Sequence, residues 1–98
     1  MSLHRYAARN DANHTEIVAA LRAVGCTVYE IRTPCDLLVG VAGRTGVVEI
    51  KDGSKSPSRR KHTPVQANFM ATWNGGPAFT VVDVASALRA AALLKGTV

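Results

Sequence analysis

DLLVGVAGRTGVVEIK, running from Asp36 to Lys51, decides how the rest of the chain is read. Two apolar runs of strand length, residues 36–41 and 46–51, flank the turn signal Ala42-Gly43-Arg44-Thr45, so the stretch predicts a β-hairpin. A tight turn centred on Gly43-Arg44 sets Asp36 opposite Lys51 and Leu38 opposite Glu49. Side chains alternate between the faces of a strand, which puts Glu49 and Lys51 on one face, about 7 Å apart. Partners across a ladder lie roughly 5 Å apart, and diagonal neighbours about 7–8 Å. In this register Asp36 joins that face, opposite Lys51 and diagonal to Glu49. A slip of one residue would turn it to the other side.

Upstream of the hairpin, residues 1–12 are polar and basic and are expected to be loose. Asn13 is placed to cap a helix running to about Val24, with Ile17, Ala20, Leu21 and Val24 on its apolar face. Gly25 ends it, residues 27–31 (TVYEI) alternate as a strand, and Thr33-Pro34 breaks that strand. Downstream, residues 52–62 form a loop rich in Ser, Pro, Lys and Arg. Thr63 and Pro64 then open a helix as N-cap and first residue, with Phe69, Met70 and Trp73 as its inward face. Residues 74–77 (NGGP) close it, residues 78–82 (AFTVV) form a fourth strand, and Asp83 caps a last helix from Val84 to about Lys95.

The order is α-β-β-β-α-β-α without internal repeats, an α+β domain with a mixed sheet flanked by helices. The last helix is apolar on more than one side, through Ala87, Leu88, Ala91, Leu93 and Leu94. That suggests a second burial partner, such as another copy of the chain.

Ninety-eight residues, 47% of them hydrophobic, describe one ordered domain with a modest core. The net charge of +5 comes from twelve Lys and Arg against seven carboxylates, a balance that favours a polyanionic partner, nucleic acid before an anionic membrane surface. No apolar run reaches the length of a membrane span, and the N-terminus lacks a signal-peptide stretch. The expected location is therefore the reducing cytoplasm, with Cys26 and Cys35 as free thiols. Neither cysteine belongs to a Cys-x-x-Cys pair and the three histidines do not complete a zinc spacing, so no zinc site is expected.

Two carboxylates converging at the end of a hairpin, with an ammonium beside them, have chemical content. Hard oxygen ligands of that kind suit Mg²⁺, which keeps several waters and joins protein carboxylates to substrate phosphate. Asp36 and Glu49 are the candidate ligands, and Lys51 can steady an attacking water and the charge that develops. The plain alternative is that Glu-x-Lys is a solvated ion pair of little consequence. Asp36 in the predicted register, and the cationic loop that follows Lys51, favour the chemical reading.

Other residues keep two readings each. Asn13-His14-Thr15-Glu16 fits a capping box, and Glu16 is equally a further metal ligand. Thr63-Pro64-Val65-Gln66 has the same spacing, yet Gln66 heads the inward face and leans toward a site role. Residues 54–62 (SKSPSRRKH) are either an ordinary solvated loop or a grip on phosphates through Lys55, Arg59, Arg60, Lys61 and His62. Trp73 and Phe69 read as core before base-stacking residues.

Taken together, Asp36, Glu49-Ile50-Lys51 and a preceding helix carrying Glu16 resemble the PD-(D/E)XK nuclease superfamily. DLLVG, VVEIKDG and the Thr-Pro-x-Gln helix are similar to small phage and bacterial members related to VRR-NUC domains and archaeal Holliday junction resolvases. The likeness spans residues 13–94. It implies a restriction-endonuclease-like core, Asp36 and Glu49 as Mg²⁺ ligands (Mn²⁺ able to substitute), Lys51 as the catalytic lysine, Glu16 as the helix glutamate and Gln66 as the glutamine that follows the motif. It further implies hydrolysis of a DNA phosphodiester, a homodimer and a phage or bacterial setting. One departure stands out: Cys35 replaces the proline that usually precedes the aspartate, with Pro34 one place earlier.

The expected function is a metal-dependent endonuclease on branched or structured DNA, with the apolar C-terminal helix as the candidate dimer interface. The alternative is a non-catalytic nucleic-acid-binding protein on the same fold, and RNA or a single strand stays open as the substrate.

Overall fold

The computed structural model describes residues 13–53 and 62–96. Among the described residues seven elements follow one another: α1 (His14–Ala23), β1 (Thr27–Glu30), β2 (Leu37–Val41), β3 (Arg44–Ile50), α2 (Pro64–Thr72), β4 (Ala78–Val81) and α3 (Val84–Lys95). The strands form one sheet in the order β1-β2-β3-β4, antiparallel through the first three and parallel between β3 and β4. This is the mixed α+β arrangement expected from the patterning.

Alternation divides the sheet sharply. Val28, Leu37, Val39, Val41, Val48, Ile50 and Val81 point to one face, where α1 and α3 cover them with Ile17, Leu21, Ala87, Ala90, Ala91 and Leu94. The small side chains of α3 let it lie close to α1 and the sheet, so the chain's own core takes up much of the apolar surface of that helix. The other face carries Tyr29, Leu38, Val47, Glu49 and Thr80. No helix among the described residues is long and apolar enough to cross a membrane. Cys26 and Cys35 are buried free thiols.

The hairpin turn differs from the expected one. Val41 pairs with Arg44, and Ala42 and Gly43 form a two-residue turn with φ of +54° and +77°. Two positive φ values in succession are the geometry of a type I′ turn, whose twist matches that of the flanking strands. Leu37 therefore faces Val48 and Leu38 faces Val47, a shift of two in the pairing. A shift of two preserves the faces. One step further along the ladder, Asp36 falls beside Glu49 itself rather than Lys51.

Two further expectations change. Asn13 does not cap α1 through its side chain; its amide crosses the end of the sheet and donates to the carbonyls of Lys51, at 3.2 Å, and Val82. Helix α2 buries no residue: Phe69 and Met70 are half-buried, and Trp73 is exposed and packs on Phe69 with ring centroids 5.2 Å apart. Those three were expected to form an inward face. The helix instead meets the sheet through its first turn.

Candidate functional site

Backbone pairing brings the two acids together. The carbonyl of Asp36 accepts from the amides of Ile31 and Arg32, at 2.9 and 3.2 Å, which fixes the chain at the entrance to β2. Oδ2 of Asp36 then accepts from the amide of Ile50 at 2.7 Å, so its carboxylate lies against β3 next to Glu49. Glu49 is 3% exposed. Its Oε2 accepts from Nε2 of Gln66 at 2.5 Å and lies 3.4 Å from Nζ of Lys51, while Oε1 is buried without a hydrogen-bond partner.

The amide of Gln66 closes a small network. Its Oε1 accepts from Nζ of Lys51 at 2.8 Å and from the backbone amide of Thr63 at 2.9 Å. The hydroxyl of Thr63 accepts in turn from the amide of Gln66, completing the capping box of α2. Gln66 thus caps the helix and also bonds both Glu49 of β3 and Lys51 just beyond it.

The electrostatics follow from burial. Glu49 is pushed up to about 7, first by its burial and then by the negative charge of Asp36, against the opposing pull of Lys51. Cys35, 1% exposed, is pushed up to about 11 by burial and by Glu49 and Asp36, which places this inert thiol beside the acid pair. A buried carboxyl oxygen with no donor, next to a second carboxylate, is a hard-oxygen arrangement that suits Mg²⁺ or Mn²⁺.

The remaining candidates fall in different places. Glu16 is exposed in the first turn of α1, a helix packed on the face away from Glu49, and makes no cap bond. Among the described residues no three His, Cys, Asp or Glu side chains gather as a metal-holding group. His62 sets Nε2 3.4 Å from the hydroxyl of Thr80, which pairs with Glu49 in the parallel ladder, so His62 borders the acid pair. Lys55, Arg59, Arg60 and Lys61 lie outside the described residues, as does the N-terminal stretch 1–12.

Sequence reasoning missed Thr80, which enters through a parallel pairing that no local pattern encodes. The bond from the Thr63 amide to Gln66 is the one that the Thr-x-x-Gln capping-box spacing predicts. Comparison with family models, curated proteins and solved structures gives no match.

Proposed function

We propose that this chain is a Mg²⁺-dependent endodeoxyribonuclease of the PD-(D/E)XK kind, hydrolysing phosphodiester bonds in branched or otherwise structured DNA. The observation that carries the reading is the buried, unpartnered Oε1 of Glu49 beside Asp36, with Lys51 held at the same edge. Asp36 and Glu49 are the residues that would hold the cation, and Mn²⁺ satisfies the same oxygen donors. When bound, the cation supplies charge neutralisation of the phosphodiester and a more acidic water.

The chain's own residues do the rest. Lys51 offers an ammonium to the water and to the phosphate oxygens as charge develops on them. Gln66 orients both that ammonium and Glu49, since each of its amide atoms is committed to one of them. His62, with Lys55, Arg59, Arg60 and Lys61, grips the sugar–phosphate backbone and makes binding fall with salt. The domain has little room for a base-reading module, so selectivity comes from DNA shape and from pairing two chains, whose two sites suit a cut in two strands.

Purified protein with Mg²⁺ and a four-way DNA junction should give nicks that vanish with EDTA and in Lys51→Ala. Cleavage that persists in either control points to a contaminant. Isothermal titration with Mn²⁺ separates turnover from mere binding: heat that disappears in Glu49→Gln supports the enzyme. DNA binding with no metal heat in the unmodified chain leaves only a non-catalytic nucleic-acid-binding protein.

A further inference from the structure

One ladder row of the sheet passes from cover to solvent. Val47 pairs with Leu38 and Leu38 with Tyr29, so these three side chains share the face that carries Glu49. Their exposure rises from 3% at Val47 through 37% at Leu38 to 65% at Tyr29. The cover over β3 therefore stops short of β2 and β1 on this side, while α1 and α3 pack on the opposite face. Strand β1 is also an outer strand of the sheet, so Tyr29 stands at its rim.

The bare end of that row adjoins the acid pair. The amide of Ile31 bonds the carbonyl of Asp36, which continues the pairing of β1 with β2 by one residue. Tyr29 is then the diagonal neighbour of Asp36 on the shared face, about 7–8 Å away and within reach of an aromatic side chain. On the other flank of Glu49 stand Gln66 of α2 and His62 beside Thr80. A strand that sets a phosphate against Asp36 and Glu49 thus has its uncovered path across Leu38 and Tyr29. Phosphate contacts position a nucleic acid, but a ring and an apolar side chain offer something else, a platform for the face of a base. In a continuous duplex that face is hidden against the next base pair, whereas an unpaired nucleotide splays out and stacks on an aromatic side chain. Among the described residues the one ring pair joins Phe69 to Trp73, so no other ring covers Tyr29.

We propose that Tyr29 is a substrate-binding residue that stacks on an unpaired nucleobase next to the scissile phosphate, with Leu38 as the apolar floor beside it. The preferred substrate is then DNA that carries an unpaired nucleotide at the cut. This rests on the nuclease reading and names the feature that its DNA must have. Binding tests it apart from cleavage, so the two fail separately.

Two duplexes of equal length, one continuous and one with a single unpaired 2-aminopurine, are titrated with the full Lys51→Ala chain in Mg²⁺, where nothing is cut. The unpaired probe should bind about fivefold tighter or more, with its 2-aminopurine emission falling on binding. Tyr29→Thr, a strand former without a ring at an exposed position, should weaken that probe by about 5–100-fold and abolish the quench. It should leave the continuous duplex within about twofold and the circular-dichroism spectrum unchanged, and Tyr29→Phe should keep both preference and quench. Equal affinity for the two probes, or emission that does not fall, overturns the proposal whatever the variants do. So does folded Tyr29→Thr that keeps the quench or weakens both probes alike. Concentration-dependent self-association that Tyr29→Thr abolishes gives the patch to a second copy and overturns it too. Preference and quench in a chain whose unmodified form never nicks DNA support the stack and remove the nuclease reading; nicking without preference does the reverse.

Discussion

Nε2 of Gln66 meets Oε2 of Glu49 at 2.5 Å, and the opposite end of that amide leaves it no other orientation. Oε1 already accepts from Lys51 and from the amide of Thr63, both of them donors, so the nitrogen must face the carboxylate. Helix capping and site geometry are therefore one arrangement. Whatever loosens the start of α2 also releases Lys51 and Glu49.

Gln66→Ala is expected to lower single-turnover cleavage by about 10–100-fold, the range for losing a group that orients ligands. It should also cost about 1 kcal/mol of stability through the lost cap. Thr63→Ala removes the hydroxyl half of the cap and keeps the main-chain donor to Gln66, so it should show the stability loss with most of the cleavage retained. Urea titration beside single-turnover kinetics separates the two.

Glu49 makes stability depend on pH in a definite direction. Its folded pKa stands at about 7, above the ordinary carboxyl value of 4.5, so between these values the folded chain binds the extra proton. Stability from this group is full below the unfolded value and falls as pH rises toward 7, by on the order of 3 kcal/mol. Urea midpoints in EDTA should decline over that window, and Glu49→Gln should remove the decline. Mg²⁺ should stabilise the chain more at pH 8 than at pH 5.5, because cation and proton compete for the same oxygens.

Ala42 stands at φ +54°, where a side chain costs about 1–2 kcal/mol relative to glycine. Ala42→Gly is expected to stabilise the chain by roughly 0.5–1 kcal/mol, the gain partly offset by a more flexible unfolded state. Chemical denaturation checks it. A loss of stability would mean that the turn is not of the primed type.

Asn13 ties α1 to the ends of β3 and β4 with one amide. Asn13→Ala should cost about 1–2 kcal/mol, the usual consequence of losing buried hydrogen bonds. Asn13→Asp should cost more, since it sets a carboxylate against two carbonyls. Thermal unfolding of both variants at neutral pH ranks them.

The seven elements were legible because periodicity and punctuation agree: Gly25, Thr33-Pro34, Thr63-Pro64 and Asp83 each fall at an element boundary. The convergence of Asp36, Glu49 and Lys51 was legible for a subtler reason. The turn lies one residue earlier than Gly43-Arg44 suggested, because Ala42 adopts the left-handed conformation that the sequence assigned to glycine. Moving a turn by one residue moves the pairing by two, and period two keeps the acids on one face.

What was hidden depends on partners distant in the chain. Asn13 reads locally as a cap, and only the folded sheet offers it the carbonyls of Lys51 and Val82. Phe69, Met70 and Trp73 have the spacing of a buried face, but α2 meets the sheet on the Glu49 side, opposite the described core. Helix α3 read as unusually apolar because its alanines serve close packing against α1, a role that composition alone does not separate from an interface.

The hydrogen bonds from Asn13 to Lys51 and Val82 also set an order of events during synthesis. The hairpin bearing Asp36, Glu49 and Lys51 leaves the ribosome before Gln66 exists, and well before the strand that flanks Glu49. Until Val82 has been added, Asn13 lacks its second acceptor, and Glu49 gains its parallel neighbour only with Thr80. A chain interrupted before Val82 therefore lacks the amide link that joins the start of α1 to the ends of both strands.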